Sequence, residues 1–253
     1  MRNLLTIIAI IFLFGCGKES TSSDSTAFAT SGGKGGSLAR FTVVGDYLYT
    51  VDRETLKVFD ISNPQLPVLK RSVKAGFEIE TIFPFKDKLF LGSTSVVCIF
   101  SLDDPSNPQK LSEAISPNVM RRCDPVVAKD NVAYATLRSN GPCGGTTSIL
   151  AVYDITDVTK PVQKASIQIG EPYGLGYSGN ILYVCDRFYG FSIFDISHPY
   201  QPSLLRSVKI SYEEVNFIDV IPYNNILVCW TSKGMTLYDI SDPQDPLLIK
   251  QIN

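Results

Sequence analysis

The chain writes nearly the same phrase five times: an aromatic residue, Asp-Ile-Ser or a variant of it, a proline-punctuated turn and a short apolar run. The copies begin at Phe59, Phe100, Tyr153, Phe194 and Tyr238, so successive starts lie 41, 53, 41 and 44 residues apart. A repeat of about 40–45 residues with several short strands and no long helical stripe is the signature of a propeller blade. The first unit shows its parts. Arg40–Val44 is a β-branched run, Gly45-Asp46 a turn, and Tyr47–Val51 resumes the strand pattern. After a polar break, Leu56–Ile61 alternates apolar and polar residues; Ser62–Pro67 then reverses the chain into Val68–Val73. Each unit therefore supplies four strands.

Proline fixes φ and cannot donate to a ladder, so Pro64/Pro67, Pro105/Pro108, Pro199/Pro202 and Pro243/Pro246 belong in connections. The repeated Asp60, Asp154, Asp195 and Asp239 each precede Ser or Thr by two residues, a spacing suited to holding backbone N–H groups of the coming turn. This reads as turn chemistry, not catalysis. Units at Leu38–Glu78, Ile79–Val119, Met120–Pro172, Tyr173–Tyr212 and Glu213–Asn253 tile the chain. One blade cannot bury both of its faces, so the expectation is a single all-β domain over residues 38–253, a five-bladed β-propeller of four-stranded antiparallel blades arranged in a ring.

Ahead of the repeats, Arg2 and the apolar run Leu4–Phe14 form a segment too short to span a bilayer and typical of a signal peptide, here residues 1–15. Its end, Leu13-Phe-Gly-Cys16, resembles the bacterial lipobox, which implies lipidation at Cys16. The alternative is ordinary secretory cleavage with Cys16 left as a plain residue. Residues 16–37, rich in Ser, Thr and Gly, read as a flexible tether. No Asp follows Cys16, so the expected address is the bacterial cell envelope, the outer membrane in particular, with the membrane as partner through the lipid.

Export makes the six cysteines worth accounting for. Cys123 opens the third unit and Cys143 sits in an insertion, Arg138–Thr147, on the same expected face of the blade. A Cys123–Cys143 disulfide is expected, closing a loop of about twenty residues and contributing about 3 kcal/mol; two free thiols are the alternative. Cys98, Cys185 and Cys229 lie in strands and read as small buried hydrophobes.

The phrase pattern resembles the LVIVD-repeat family of bacterial exported β-propellers. Cys123-Asp-Pro-Val-Val127 with Ala133–Arg138, and Pro172-Tyr-Gly-Leu-Gly176 with Leu182–Asp186, carry the likeness most closely. Unit two departs from it, with Ser101-Leu-Asp for Asp-Ile-Ser, and unit three has Val158 in place of the first proline. The resemblance implies an exported, often lipid-anchored propeller, and no particular activity.

With the first strand of each unit innermost, aligning the units by their second strands puts Arg40, Thr81, Asp124, Gly174 and Asp219 in one ring at the channel mouth. Glu80 and Tyr173 stand one step earlier. Such a ring can bind a cation, a sugar or a carboxylate, or be the solvated ends of strands. On the same face, Arg187, Phe188 and Tyr189 offer a cation and two aromatics in one loop, a platform for a glycan or an envelope protein.

An enzyme meets an obstacle. The sole histidine, His198, lies in the Ser197–Pro202 turn on the opposite face, where neither a triad nor a His–metal site is within reach of the mouth. Carboxylate-pair glycan chemistry through Glu80, Asp124 and Asp219 stays open as the alternative. No residue spacing signals a metal or another cofactor. With 23 Lys+Arg against 25 Asp+Glu there is no basic field for nucleic acid. The expected function is a non-enzymatic ligand- or protein-binding module of the envelope, with a structural subunit of an envelope complex as a third reading.

Overall fold

The computed structural model describes residues 36–93, 96–115, 125–138, 147–209 and 215–253. Cys16, Cys123, Asp124 and Cys143 lie outside them, as does the signal peptide. The described residues form twenty strands and no helix. Blade 1 consists of β1 (Phe41–Val44), β2 (Tyr47–Val51), β3 (Thr55–Asp60) and β4 (Val68–Lys74). Blade 2 consists of β5 (Ile79–Phe85), β6 (Lys88–Ser93), β7 (Val96–Ser101) and β8 (Gln109–Ile115). Blade 3 consists of β9 (Val126–Lys129), β10 (Val132–Leu137), β11 (Ile149–Asp154) and β12 (Val162–Gln168). Blade 4 consists of β13 (Pro172–Ser178), β14 (Ile181–Asp186), β15 (Gly190–Asp195) and β16 (Ser203–Val208). Blade 5 consists of β17 (Phe217–Tyr223), β18 (Ile226–Thr231), β19 (Gly234–Asp239) and β20 (Leu247–Ile252). Each sheet is a four-stranded antiparallel meander in chain order.

Local chemistry repeats with the blades. The first hairpin of every blade is a two-residue turn whose leading residue takes positive φ: Gly45 (56°), Lys86 (53°), Asp130 (53°), Gly179 (56°) and Asn224 (51°). The second turn residue then accepts the N–H of the isoleucine or leucine in the recurring phrase, as Ile61 N–H to Asp46 O at 2.8 Å and Ile240 N–H to Asn225 O at 2.8 Å. The phrase aspartates hold the next turn as the sequence suggests. Asp60 Oδ1 accepts Ser62 N–H at 3.0 Å and its hydroxyl at 2.7 Å, and Asp239 Oδ1 accepts Ser241 N–H at 2.8 Å. In blade 2 the hydroxyl of Ser101 replaces the missing carboxylate and accepts Asp103 N–H at 3.0 Å. His198 is a turn residue whose carbonyl accepts Gln201 N–H.

Blades stack face on face, so middle strands are buried on both sides, as in β10, while outer strands such as β20 are exposed along their length. Four apolar clusters fill the junctions between blades 1 and 2, 2 and 3, 3 and 4, and 4 and 5. Tyrosines latch three of these junctions: Tyr49, Tyr134 and Tyr183 donate their hydroxyls to Pro105 O, Pro199 O and Pro243 O of the following blade at 2.7, 3.0 and 2.8 Å. At the junction of blades 2 and 3 the tyrosine is Phe90 and the proline is Val158. There Ser112 donates its hydroxyl to the Val158 carbonyl instead.

The repeat pattern treats all five junctions alike, and one of them differs. Among the described residues no apolar cluster joins blade 5 to blade 1. Trp230 is 53% and Met235 45% exposed, whereas Cys185 and Phe191, at the same register in blade 4, are 0% and 1% exposed. On the facing side, Phe41 is 63% exposed and its blade 4 counterpart Leu175 is 0%. Blade 5 thus ends in an apolar face that blade 1 does not cover, and among the described residues the incoming segment Gly36–Leu38 ties the two ends at the inner edge.

Candidate functional site

The end of the second strand sits beside the start of the first: Val51 N–H donates to Arg40 O at 2.9 Å and Thr136 N–H to Pro125 O at 3.1 Å. The mouth therefore gathers strand starts together with the loops from second to third strands. In the third blade, where β9 pairs with β10 without irregularity, Pro125 stands five residues before the hairpin turn as Arg40 does in the first, and so takes the ring position that the sequence alignment gives to Asp124. Irregularities fall in other blades. The pairing of first and second strands slips between Ile79 and Thr81, between Pro172 and Leu175, and between Phe217 and Asp219. Bulges of this kind re-aim side chains at a strand end. Two of them fall on Glu80 and Tyr173.

Tyr173 is the centre of the site. Thr136 of blade 3 donates its hydroxyl to Tyr173 O at 2.8 Å, fixing the backbone from the neighbouring blade. Two residues further along, Arg138 lays its guanidinium 3.9 Å from the Tyr173 ring centroid. Arg187 stands 5.6 Å from the same centroid and 5.1 Å from that of Phe188. The loop carrying Arg187 is pinned at both of its backbone groups, with Arg187 N–H to Glu171 O at 2.9 Å and Phe217 N–H to Arg187 O at 3.1 Å. Two cations beside one aromatic ring each gain about 0.5–2 kcal/mol from its face; the pinned loop holds Arg187 there, and Arg138 follows directly on β10. Phe188 and Tyr189 extend from the loop as exposed aromatics.

Glu80 is half-buried across from this stack. Burial pushes its carboxyl above the usual range, and the fields of Arg138 and Arg40 offset that only in part. Among the described residues, Arg40, Arg138 and Arg187 make no ion pair with a carboxylate, although nine other Lys and Arg residues do. Behind the loop a shallow cleft of about 170 Å³ is lined by Asp186, Tyr189, Phe191, Ser192, Ser207 and Lys209. Among the described residues Asp186 Oδ1 is buried without a hydrogen-bond partner, and burial raises this carboxyl as well.

Asp219 occupies the ring position expected of it, but its carboxylate does not face solvent. Oδ1 accepts the Ser37 hydroxyl at 3.1 Å and Val220 N–H at 3.0 Å, and Oδ2 accepts Leu38 N–H at 3.2 Å. Ser37 in turn accepts Leu175 N–H at 2.7 Å. The carboxylate lies between two glycines. A Cβ on Gly36 or Gly174 would come within 1.9 Å of one or other of its oxygens, so only glycine permits the approach. Desolvation outweighs these hydrogen bonds and lifts the carboxyl from 3.8 to about 6. The expectation of Asp219 as an open ligand group is corrected: it is the peg that holds the incoming chain against blades 4 and 5.

Of the sequence-predicted residues, the structure thus brings Tyr173, Arg187 and Phe188 together. It sets Glu80 within the fields of Arg40 and Arg138, keeps Tyr189 at the rim, and gives Asp219 to the fold. Arg138 joins the site from the edge of the insertion. Its signal in the sequence was its place directly after the second strand of its unit, where that strand ends at the mouth. Cys98, Cys185 and Cys229 are buried free thiols, and burial raises all three. Among the described residues no group of three His, Cys, Asp or Glu side chains is placed to hold a metal.

The family model of the LVIVD repeat matches residues 35–75 and 173–210, which are the first and fourth blades. No curated protein matches the chain in sequence. Solved structures do match in fold. A protein from Lactobacillus plantarum is 12% identical with a TM-score of 0.68, over 83% of this chain and 69% of that one. The periplasmic gluconolactonase of Pseudomonas aeruginosa is 14% identical with a TM-score of 0.59, over 83% and 67%. Apo AztD from Citrobacter koseri is 13% identical with a TM-score of 0.55, over 81% and 58%. At such identities the likeness is one of fold. Two stretches that match the LVIVD repeat, five sheets built to one pattern and neighbours of similar fold together describe a five-bladed β-propeller in which the first and fourth blades resemble the LVIVD repeat.

Proposed function

We propose that this propeller is a non-enzymatic recognition module of the bacterial cell envelope, held to the membrane by a lipid on Cys16, that binds its ligand at the channel mouth. The observation that carries the reading is the Arg138–Tyr173–Arg187 stack with exposed Phe188 and Tyr189 at its rim. Aromatic faces with pinned cations form a prepared surface, and preparation lowers the ordering cost of binding. Nothing in the stack is a nucleophile placed against a base.

A glycan enzyme working through paired carboxylates is the second reading, favoured by Glu80, whose carboxyl burial raises toward the range of a general acid. It requires a partner carboxylate. Asp219 has both oxygens engaged, which leaves Asp124, outside the described residues.

The test is a binding screen of envelope glycans and envelope proteins on the full chain, repeated with Arg187, Phe188 and Tyr189 changed together to alanine. Binding that the triple variant loses while its β-sheet circular dichroism is unchanged supports a recognition module on this face. Binding indifferent to the three residues moves the site elsewhere. Turnover of a glycan that Glu80→Gln abolishes replaces this reading with the enzyme.

A further inference from the structure

From the unpaired cations of the mouth we infer that its ligand is an acidic sugar, whose carboxylate is gripped by Arg138 and Arg187 while its ring rests on the aromatic rim; this rests on the recognition reading above. Three features converge. Arg138 and Arg187 approach a single ring, at 3.9 and 5.6 Å, so each guanidinium keeps its edge N–H donors free of the aromatic face it stacks on. No carboxylate among the described residues pairs with either, nor with exposed Arg40. Like charges held together with no ion-paired carboxylate among the described residues repel one another, and an anion arriving between them relieves that repulsion while making charge-assisted, two-pronged hydrogen bonds.

The acid facing this group, Glu80, lies within the fields of Arg138 and Arg40 but engages neither guanidinium directly. It is half-buried, its carboxyl is raised by desolvation, and it forms no ion pair with Arg138 or Arg40. Glu78, close by along the chain, pairs with Arg53 at 3.8 Å. The rest of the rim selects the body of the ligand. Phe188 lies exposed beside Arg187 and Tyr189 is exposed in the same loop, and aromatic faces take up the C–H side of a sugar, whereas a bare oxyanion gains nothing from them. An acidic sugar uses both halves of the surface.

The probes are galacturonate, methyl galactoside and inorganic phosphate, titrated onto the full chain by isothermal calorimetry at low and at physiological salt. Galacturonate is expected to bind at least tenfold more tightly than either of the other two and to weaken with salt. Arg138→Ala and Arg187→Ala are each expected to cost at least tenfold. Arg187→Lys, which keeps the charge but loses the fork, is expected to weaken binding several-fold with no change in fold. Phe188→Ala is expected to weaken galacturonate and leave phosphate unaffected. Phosphate as tight as galacturonate overturns the sugar acid in favour of a plain oxyanion site. Methyl galactoside bound as tightly as galacturonate, and lost in Tyr173→Ala but not in the arginine variants, overturns the acidic ligand while the recognition reading stands. No binding of any probe at millimolar concentration overturns the inference, and the wider screen then decides the recognition reading separately.

Discussion

Replacing Asp219 by asparagine should remove a defined part of the pH dependence of folding. The carboxyl has a pKa of about 6 in the folded protein against 3.8 for the free side chain, a difference that corresponds to about 3 kcal/mol. Between these two values the folded state binds more protons than the unfolded state, so stability falls as pH rises through the window and levels off above it. At neutral pH the protein carries the whole desolvation cost of a charge set between Gly36 and Gly174. The amide of the Asp219→Asn variant does not titrate, and its oxygen can still accept the Ser37 hydroxyl. The aspartates whose carboxyls are lowered, Asp60 and Asp154 to about 2, act in the opposite sense and below pH 3.8. Glu80 and Asp186, raised like Asp219, are common to both proteins and cancel in the difference. The assay is equilibrium urea unfolding of both proteins at half-unit steps from about pH 3.5 to about 7.5, which brackets the window in which the linkage acts. Relative to the asparagine variant, wild type should lose most of that ~3 kcal/mol across the assay, about three quarters of it between pH 3.8 and 6 and the rest on the flanks. A difference that is flat across that window, or that grows in favour of wild type, refutes the placement of a buried carboxylate at this junction.

Two further outcomes test the fold. Tyr183→Phe removes the latch to Pro243 O and should cost about 1 kcal/mol in urea unfolding, whereas Phe90→Leu, at the latch-free junction, should show only a packing cost. Trp230, the sole tryptophan, should emit as a solvent-exposed indole and be freely quenched by acrylamide, and Trp230→Ala should cost well below the about 3–5 kcal/mol of a core aromatic. Shielded, blue-shifted emission would show the junction of blades 5 and 1 to be packed.

Much of the fold was legible because it is local chemistry repeated. An aspartate two residues before a serine holds a turn wherever it occurs, so the phrase located the outer hairpins before any coordinate. Where Ser101 substitutes for the aspartate the same bond forms, and the departure in the pattern proved to be a replacement of one acceptor by another. The latches were half-visible. Tyrosine recurs in the second strand of units one, three and four, with Phe90 in unit two and Val228 in unit five; Phe90 and Val158, which stands where the proline is expected, meet across one junction. The hairpin turn of blade 2 was harder to see, since Lys86 occupies positive φ with nothing in its side chain to announce it, whereas Asp130 and Asn224 are residue types that tolerate that region.

The sequence by itself determined the blade count, the strand order within each blade, the turns and the face on which the mouth lies, because each depends on residues within one repeat or on the repeat's period. The tertiary structure alone decided what happens between repeats. Slips of one residue in the inner strands fell on Glu80 and Tyr173 and re-aimed them at the mouth. Two glycines remote in sequence made a cradle that withdrew Asp219 from solvent. The stacking of blades 3 and 4 set Arg138 against Tyr173. The junction after blade 5, which no apolar cluster of the described residues fills, is of the same kind, since alternation along a strand says which residues face a neighbour and is silent on whether the ring's curvature brings that neighbour into contact.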